Sequence, residues 1–417
     1  MGSHALPRSP SGIAFLGLAC TIVGCGVRSR SMNETFDAVV IGAGYIGSSV
    51  AYHLSSAGLS TALLDKGAMA AGASRANYGN IQIQDMELEK SRDLIREGRA
   101  RFADLEDELG RNVSLRKIGG LLLVENEAQW SLMESRQQAL HSEGIGSELI
   151  PVNRLHEVEP ELDTRSLLGG LYNPEEGQLD PFKLIWAYLV LARRHGLKEF
   201  YFNEVTGFLV HAGRIKGVRT AQGTLEAPIV VLCTGAGTHQ IGRMLGRTWE
   251  IPFIIGQAMV TEPIEPTLRN HISSASFFEQ ESTGKPGEVR VGLALSQSPH
   301  GHMLLGEAMI EAPEALRQVP PGALPAIASC VSGYFPTFAR LRVLRGWSAA
   351  VAFTHDSCPW LGPVPGLEGL LVATAFRSTV IITPLVGELV AQLVTRGRCD
   401  LAIDDFKPER TVSHADV

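Results

Sequence analysis

The sequence has no concentrated run of basic residues, and its 37 lysines and arginines are outnumbered by 44 acidic residues. The formal net charge is therefore −7, and the isoelectric point is about 6.0. Proteins that bind nucleic acid present a concentrated positive face to the phosphates, so this composition argues against such a partner. Apolar residues make up 45% of the chain and charged residues 19%, which is the balance of a globular protein.

The cysteines form no C-x-x-C pair, which argues against a redox dithiol or a zinc knuckle. No metal site is predicted. Cysteines scattered through 417 residues fit a reducing compartment, where a buried cysteine packs as a small apolar residue. We expect this packing role for Cys330 and Cys358. The full set is Cys20, Cys25, Cys233, Cys330, Cys358 and Cys399.

The apolar stretch at residues 13–26 is too short to span a bilayer comfortably. It could be the core of a signal peptide, and Ile22-Val23-Gly24-Cys25 is similar to a lipoprotein cleavage box. Alternatively, Met32 is the natural start and residues 1–31 are an upstream extension. Because a core strand follows Met32 almost directly, we expect a cytoplasmic protein. It would be membrane-associated only if residues 13–26 act as a signal or anchor.

A βαβ unit is predicted at the start of the main part of the chain. Residues 36–41 and 60–64 are short apolar runs typical of buried parallel strands. Residues 47–57 between them are predicted as a helix, and a glycine-rich turn joins the first strand to this helix.

The turn has the pattern G-x-G-x-x-G. Gly42 permits the sharp bend, Gly44 lets the backbone approach a pyrophosphate, and Gly47 lets helix and strand pack closely. The helix N-terminus offers free N–H groups to phosphates. Asp65 ends the second strand and can accept hydrogen bonds from ribose hydroxyls. The unit therefore predicts a dinucleotide site. The spacing of the glycines alone does not distinguish NAD from FAD. The small-residue segment 72–80 favours FAD.

The rest of the chain alternates between helical and strand patterns without repeats. Residues 87–109 are predicted as one long amphipathic helix, and Asp180 with Pro181 is predicted to begin another that runs to about Arg194. Early and late segments are expected to build a nucleotide domain, with a sheet-rich middle. Further strands are predicted at 119–124, 169–172, 205–210, 215–219, 223–227, 229–233, 257–261, 289–293, 302–306 and 370–374, with a last helix at 382–393.

Several stretches beyond the glycine turn carry a family resemblance. They are GASRANYGNI, GGLYNPEEGQLDP, the meander EVTGFLVHAGRIKGVRTAQGTLEAPIVVLCTGA and WSAAVAFTHDSCPWLGPVPGLEGLLVAT. In order and spacing the chain resembles the D-amino-acid-oxidase-like superfamily of FAD-dependent oxidoreductases over about residues 35–400. Glycine and sarcosine oxidases belong to it, and so do flavin subunits of proline, hydroxyproline and opine dehydrogenases.

The resemblance implies an α/β fold of the p-hydroxybenzoate-hydroxylase or glutathione-reductase-2 type. A Rossmann-type FAD-binding domain is then interleaved with a mixed-sheet substrate domain. We assign residues 1–31 to an extension or signal-like segment. The FAD-binding domain has three parts, at 32–113, 199–250 and 351–410. The substrate domain comprises 251–350 and most of 114–198, which also includes helices of the FAD domain.

The resemblance also assigns residues to the parts of FAD. The glycine turn lies at the pyrophosphate, Asp65 at the adenosine ribose, and Val205 where the backbone pairs with adenine. Residues 74–80 lie beside the ribityl chain or flavin, and residues 377–379 at the pyrimidine side of the ring. The full predicted cofactor set is Gly42, Ala43, Gly44, Tyr45, Ile46, Gly47, Asp65, Lys66, Ser74, Asn77, Gly79, Asn80, Val205, Thr234, Gly235, Arg377, Ser378 and Thr379.

The chain departs from the family pattern near its C-terminus. The arginine that often clamps a substrate carboxylate is replaced by Val351, the usual Gly-His pair by Thr374-Ala375, and nearby glycines by Arg377 and Thr379. These changes leave the substrate type open. No histidine precedes a cysteine where relatives attach flavin covalently, so we expect non-covalent FAD.

The expected reaction is oxidation of the carbon–nitrogen bond of a small amine or amino acid to an imine, by hydride transfer to flavin N5. Arg377 is the candidate catalytic residue: it would stabilise the reduced flavin or bind a substrate carboxylate, unless it is a surface arginine. His355, His300 and His302 are expected to be turn residues, and Tyr45 to pack.

Two other functions stay open. One is a flavin or NAD reductase of another class, although the missing C-x-x-C and the missing second glycine fingerprint count against it. The other is a flavin-binding subunit that works in a hetero-oligomer with electron-transfer subunits and is inactive alone. A dehydrogenase is slightly favoured over an oxidase.

Overall fold

A computed structural model describes residues 32–278, 289–311 and 319–410. The apolar stretch at 13–26 and the cysteines Cys20 and Cys25 lie outside these residues. The described chain is a mixed α/β structure, as predicted. Its strands are β1 (Met32–Thr35), β2 (Ala38–Ile41), β3 (Thr61–Leu64), β4 (Asn80–Ile81), β5 (Arg116–Lys117), β6 (Gly120–Val124), β7 (Glu148–Pro151), β8 (Gly169–Asn173), β9 (Gly177–Gln178), β10 (Lys198–Phe200), β11 (Val205–His211), β12 (Arg214–Thr220), β13 (Gly223–Glu226), β14 (Ile229–Leu232), β15 (Phe253–Pro263), β16 (His271–Ser274), β17 (Arg290–Gln297), β18 (His302–Glu311), β19 (Val343–Ala352), β20 (Trp360–Pro363) and β21 (Leu370–Thr374).

Helices connect these strands and cover the sheets. Short 3₁₀ turns at Ala73–Ala76 and Gly235–Gly237 follow two of the parallel strands. The α-helices of the described residues are α1 (Tyr45–Ser56), α2 (Arg92–Arg101), α3 (Leu105–Leu109), α4 (Glu127–Ser142), α5 (Leu155–Val158), α6 (Pro181–Arg194), α7 (Thr238–Met244), α8 (Ala323–Tyr334) and α9 (Thr379–Arg396).

A six-stranded sheet carries the predicted βαβ unit. Its order is β10-β3-β2-β14-β21-β20, and every neighbouring pair is parallel except β20 with β21. The strand β2 lies at the centre, with Ile41 in register with Leu64 of β3 and Leu232 of β14. Because parallel strands end at one edge, the segments that follow β2, β3, β14 and β21 meet there.

Both faces of this sheet are covered, which accounts for its continuous apolar strands. On one face α1 packs against α6 and α9, and α9 packs against α2. The other face packs against the four-stranded meander β1-β13-β12-β11. Of the described helices, α9 alone is long and apolar enough by composition to cross a membrane, and 56% of it is buried in the protein. A buried core helix meets the same criterion.

A second, eight-stranded sheet has the order β19-β15-β18-β17-β16-β6-β8-β7 and draws its strands from the middle of the chain. Helix α8 packs against β15, β17 and β18. The chain thus enters and leaves each large sheet more than once, as the predicted interleaving requires. A small three-stranded sheet has the order β4-β9-β5.

The single helix predicted at residues 87–109 is wrong. The Glu87 carboxylate accepts hydrogen bonds from the backbone N–H groups of Glu89, Lys90 and Ser91, so these residues form a turn. Helix α2 begins only at Arg92, and a break around Asp104 separates it from α3. Aspartate is a poor residue for a helix interior and favours helix starts, which explains the break. The helix start at Asp180 is confirmed, since its side chain accepts from the N–H groups of Phe182 and Lys183.

Candidate functional site

The turn after β2 is shaped by glycines that no other residue could replace without movement of the backbone. Gly42 has a φ of +107°, and a Cβ there would lie 2.3 Å from the carbonyl oxygen of Cys233. A Cβ at Gly47 would lie 1.7 Å from the carbonyl oxygen of Gly42. The two glycines therefore allow the turn to pass the end of β14 and α1 to begin directly against it.

Helix α1 begins at this turn, and some of its first backbone N–H groups have no acceptor within the protein. The N–H of Tyr45 donates to Ser74 Oγ at 3.2 Å. In the described structure the N–H groups of Ile46 and Gly47 have no hydrogen-bond partner, as expected in the first turn of a helix. Together with the positive end of the helix dipole, these donors form a site suited to an anion.

Asp65 lies beside the turn, at the end of β3. Its Oδ2 accepts from the N–H of Ala43 at 2.8 Å, and its Oδ1 accepts from the N–H of Gly67 at 2.7 Å. A carboxylate has about four acceptor positions, so Asp65 retains capacity for hydroxyl donors. The neighbouring Lys66 is exposed and forms a long ion pair of 3.9 Å with Glu204.

Asn203 is a residue that the sequence analysis missed. Its backbone N–H donates to the carbonyl oxygen of Asp65 at 3.0 Å, and its side chain is 1% exposed. Neither the side-chain oxygen nor the side-chain nitrogen has a hydrogen-bond partner. Buried amides are nearly always paired, so this one indicates a polar ligand next to Asp65. Val205 follows at the start of β11 and is buried. Asn203 belongs to no recognisable motif, and only the fold brings it to Asp65.

The segment after β14 reaches the same edge. Thr234 Oγ1 and Thr238 Oγ1 are 2.8 Å apart, and Thr238 Oγ1 donates to the carbonyl oxygen of Gly235 at 2.8 Å. Thr374, the last residue of β21, lies within 3.2 Å of Thr238 through its hydroxyl. Thr234 thus lies beside the glycine turn, with its backbone nitrogen 3.5 Å from the position of a Cβ at Gly42, and its hydroxyl already has a protein partner.

The segment from Ser74 to Asn80 joins this edge to the eight-stranded sheet. Asn77 Oδ1 accepts from the N–H of Gly79 at 2.7 Å, and Asn80 Oδ1 accepts from Ser296 Oγ of β17 at 2.9 Å. Gly79 packs so closely on the carbonyl oxygen of Leu179 that a Cβ would lie 1.9 Å from it. The small size of Gly79 therefore has a packing reason that is independent of any ligand.

Arg377, Ser378 and Thr379 begin α9 at the same edge. Ser378 is in the left-handed region with a φ of +47°, and its hydroxyl donates to Asp85. Arg377 Nη1 donates to Ser357 Oγ at 3.3 Å. Burial raises the pKa of Asp85, and the positive charge of Arg377 and the Ser378 hydrogen bond partly oppose this rise. Arg377 thus has a hydrogen-bond partner and a half-buried carboxyl group near it, and it is not an isolated surface arginine. Thr379 Oγ1 donates to the carbonyl oxygen of Phe376 at 2.9 Å.

Other residues considered from sequence lie where packing or turn roles suffice. His355 is exposed on a cavity shared with Trp249, Trp360 and Arg410. Cys358 is fully buried, and Tyr45 is 2% exposed. His300 lies in the turn between β17 and β18, as predicted, but the turn prediction is wrong for His302, which is the first residue of β18 and has its Nδ1 2.9 Å from the carbonyl oxygen of Thr261.

These groups fit a flavin dinucleotide in kind and in order. The free N–H groups of α1 suit a pyrophosphate, and Asp65 and the unpartnered Asn203 suit an adenosine with hydroxyl and nitrogen groups. The segments 74–80 and 377–379 lie farther along, between the two large sheets. The polar groups therefore lie along one edge of the six-stranded sheet, and strand β19 of the eight-stranded sheet contacts the turns Ala73–Ala76 and Gly235–Gly237 at that edge.

Comparison with protein families gives a match to the model described as "DAO: FAD dependent oxidoreductase", over residues 37–393. The mitochondrial dimethylglycine dehydrogenase of Mus musculus is 24% identical over 394 residues, which cover 90% of this chain and 44% of that protein. The chain thus spans less than half of that relative. Glycine oxidase of Geobacillus kaustophilus is 24% identical over 93% of this chain and 100% of its own length. Sarcosine oxidase subunit beta of Rhodobacter capsulatus is 24% identical over 90% and 89%.

Solved structures share the fold. L-Proline dehydrogenase from P. horikoshii superposes with a TM-score of 0.79 and 26% identity, covering 91% of this chain and 98% of that chain. Glycine oxidase from Geobacillus kaustophilus superposes with a TM-score of 0.81 and 23% identity, covering 91% and 100%. The match extends across both large sheets.

Proposed function

Because the chain belongs to the DAO family of FAD-dependent oxidoreductases, we propose that it oxidises the carbon–nitrogen bond of a small amine or amino acid to an imine. The relatives named above are, by their names, dehydrogenases and oxidases of glycine, dimethylglycine, sarcosine and proline. The observation that carries the proposal is the meeting of free helix donors, Asp65 and the unpartnered Asn203 at one sheet edge. That edge faces the second sheet, where a substrate would bind.

In this proposal the cofactor is held without a covalent bond. The N–H groups at the start of α1 bind the pyrophosphate, and Asp65 and Asn203 bind the adenosine. Thr234 and Gly235 lie beside the dinucleotide, and the segments 74–80 and 377–379 lie along the ribityl chain and the ring. When bound, the flavin supplies the oxidant, taking a hydride from the carbon attached to nitrogen.

The protein itself contributes orientation, exclusion of water and charge. Strand β19 of the eight-stranded sheet carries Trp347, Ala349 and Val351. These side chains can hold the substrate carbon in a position from which water is excluded. Positioning of reactants can lower a barrier by roughly 7 kcal/mol or more. The substrate ammonium must lose its proton before the hydride leaves, and water then hydrolyses a released imine to a carbonyl compound. Arg377 is placed to stabilise negative charge that develops at the ring.

A second candidate function concerns the electron acceptor. The similarity to sarcosine oxidase subunit beta extends over 89% of that subunit. A chain of this kind could pass electrons to a separate electron-transfer subunit and turn over poorly alone. The similarity to dimethylglycine dehydrogenase and L-proline dehydrogenase supports a dehydrogenase over an oxygen-using oxidase in this proposal.

The test is a titration of the purified chain with FAD, followed by anaerobic mixing with a panel of amines and amino acids. We expect a yellow complex whose visible flavin absorption is bleached by at least one amine. Oxygen, a quinone analogue and a one-electron dye would then be compared as acceptors. A folded protein that stays colourless with FAD, or that no amine bleaches, would contradict the proposal.

A further inference from the structure

One face of the eight-stranded sheet is turned towards the turns Ala73–Ala76 and Gly235–Gly237. In the register between β15 and β19, Ala258 lies opposite Trp347, Gly256 opposite Ala349 and Ile254 opposite Val351, so these side chains share a face. The Trp347 ring lies 6.4 Å from the ring of Tyr78, and β19 contacts the turns Ala73–Ala76 and Gly235–Gly237. This face, here called the substrate face, is therefore the wall opposite the predicted flavin segments.

A glutamate is placed on this face by an irregularity in β18. Gln257 of β15 pairs with Ala308, but the next residue of β15, Ala258, pairs with Gly306, so Glu307 is left between them. The register with β17 shifts at the same place. Such a bulge turns one side chain out of its normal position and is frequent next to active sites. A Cβ at Gly256 would meet only Glu307, at 3.4 Å from its Oε2, so the carboxylate lies on the substrate face.

Glu307 is half-buried, and its carboxylate has no hydrogen bond and no ion pair with any described residue. Burial and, to a lesser extent, the charge of Asp85 raise the pKa of Glu307 to about 7. The hydroxyl of Tyr78 has no hydrogen-bond partner either, and it lies 2.1 Å from the position of a Cβ at Gly306, next to Glu307. Two polar groups without protein partners thus lie at neighbouring positions of β18, beside the substrate face. A half-buried carboxylate without a protein partner loses part of its hydration, which favours pairing with a cation.

Charges around the substrate face do not suit a substrate carboxylate. Val351 and Ala349 lie on the substrate face, and their partners across β15, Ile254 and Gly256, are apolar or glycine, so these positions offer no positive charge. The nearby Arg377 already faces Asp85 and Ser357. A carboxylate bound at this wall would meet the negative charge of Glu307.

We propose that Glu307 is a substrate-binding residue that pairs with the ammonium group of the substrate, and that the enzyme takes primary or secondary amines without a carboxylate next to the reacting carbon–nitrogen bond. This inference rests on the proposed function and names its substrate class. The Tyr78 hydroxyl can accept a second hydrogen bond from the same ammonium group. Val351 and Ala349 leave space for an alkyl or ring substituent.

The experiment measures binding apart from turnover. The FAD-loaded protein is titrated with tetramethylammonium and benzyltrimethylammonium, which cannot be oxidised as ammonium substrates, and with acetate and benzoate as anionic counterparts. Binding is followed by the change in the flavin spectrum and by calorimetry. Rates of anaerobic flavin bleaching are then compared for pyrrolidine with proline and for N-methylbenzylamine with N-methylphenylglycine, pairs that differ by one carboxylate.

Glu307→Gln keeps the shape and removes the charge. Glu311→Gln on the same strand is the matched control, because Glu311 is half-exposed and pairs with Arg290. We expect the cations to bind the wild-type protein more tightly than the anions, and Glu307→Gln to weaken cation binding by about tenfold or more. Glu311→Gln should leave the binding of the cations and of the anions unchanged. FAD content and thermal unfolding establish that each variant is folded.

The outcomes separate this inference from the function on which it rests. Bleaching by proline or N-methylphenylglycine with no response to Glu307→Gln would overturn the inference and leave the amine oxidation intact. Tighter binding of the anions, or no binding of either cation, would also overturn it. If no amine bleaches the flavin but the cations bind in a manner that depends on Glu307, the cation site stands and the proposed reaction fails.

Discussion

The carboxylate of Asp65 accepts a hydrogen bond from the backbone N–H of Ala43 at 2.8 Å, and this bond ties the end of β3 to the turn after β2. The second oxygen of Asp65 holds Gly67 in the same way. The site is therefore organised by the protein itself, and a ligand that uses the remaining acceptor positions of Asp65 binds to a turn already in place. Preorganisation of this kind lowers the ordering cost of binding.

Asp65→Asn tests this double role. The amide cannot accept from both backbone donors without directing its own NH₂ at one of them, so we expect a loss of about 1–3 kcal/mol in the free energy of unfolding. FAD affinity should fall by about tenfold or more, since charged acceptors form the stronger hydrogen bonds. Asp37→Asn is the control, because Asp37 accepts similarly from Ser60 at the opposite end of the sheet. It should change stability and not FAD affinity; equal losses of FAD affinity in both variants would contradict the assignment.

Gly44→Ala tests close approach of the backbone to the ligand. A Cβ at Gly44 would lie 2.7 Å from Ser74 Oγ, so Ser74 must move away from the N–H of Tyr45. We expect a cost of about 1 kcal/mol in stability and at least a tenfold loss of FAD affinity, measured by fluorescence titration. Gly72→Ala is the matched control, since no atom lies within 4 Å of its added Cβ. A Gly44→Ala protein with normal FAD affinity would place the pyrophosphate elsewhere.

The structure explains which parts of the site could be predicted from sequence. The glycine turn and Asp65 are close in sequence and belong to one βαβ unit, so local pattern was enough to predict them. Asn203 is placed by a backbone hydrogen bond to Asp65 and Glu307 by a bulge in β18, and neither leaves a periodic signal in the sequence. The predicted helix over 87–109 failed because a side chain, Glu87, holds three backbone donors and competes with helix formation.

Ala375→Gly tests backbone strain at the end of β21. Ala375 has a φ of +59°, in the left-handed region that is unfavourable for residues with a Cβ. We expect the glycine variant to unfold with a free energy about 0.5–1 kcal/mol higher, because the relieved strain exceeds the added entropy of the unfolded chain. Ala373→Gly, two residues earlier within the strand, should lower stability instead. Denaturant unfolding of both variants checks the sign, and destabilisation by Ala375→Gly would show that no strain is stored there.

Arg377→Met tests the functional charge at the start of α9. The charge of Arg377 opposes the rise in the pKa of Asp85, so its loss should raise that pKa further. We expect the rate of anaerobic flavin reduction to fall by about tenfold or more, because a positive charge that stabilises the transition state is lost. Arg396→Met at the other end of the same helix is the control, since Arg396 is exposed and pairs with Asp400. If spectra, reduction rate and substrate affinity of Arg377→Met are all unchanged, Arg377 has only a structural role.

The pH dependence of stability tests the state of Glu307 without any ligand. Its pKa is about 7 in the folded protein against an ordinary value of 4.5, so between these values the folded protein retains a proton that the unfolded chain releases. The free energy of unfolding of the protein without ligand should therefore include a contribution that falls as pH rises from 4.5 to 7 and stays low above 7. Asp85 and Tyr78 are the titratable neighbours whose charges act with Glu307; the pKa of Tyr78 is raised well above its ordinary range by burial, so it stays neutral throughout.

Glu307→Gln removes this contribution, because the amide is neutral at every pH. The variant should be about as stable as the wild-type protein near pH 5 and measurably more stable at pH 8, where the wild-type protein carries a half-buried carboxylate without a protein partner. The measurement is thermal unfolding of the wild-type protein, Glu307→Gln and the control Glu311→Gln at both pH values. A benzylamine-type cation should stabilise the wild-type protein at pH 8, because the ligand supplies the missing positive charge. The difference in stability between the wild-type protein and Glu307→Gln should then become smaller. If Glu307→Gln is less stable than the wild-type protein at pH 8, the carboxylate is already satisfied within the protein and is not waiting for a cation.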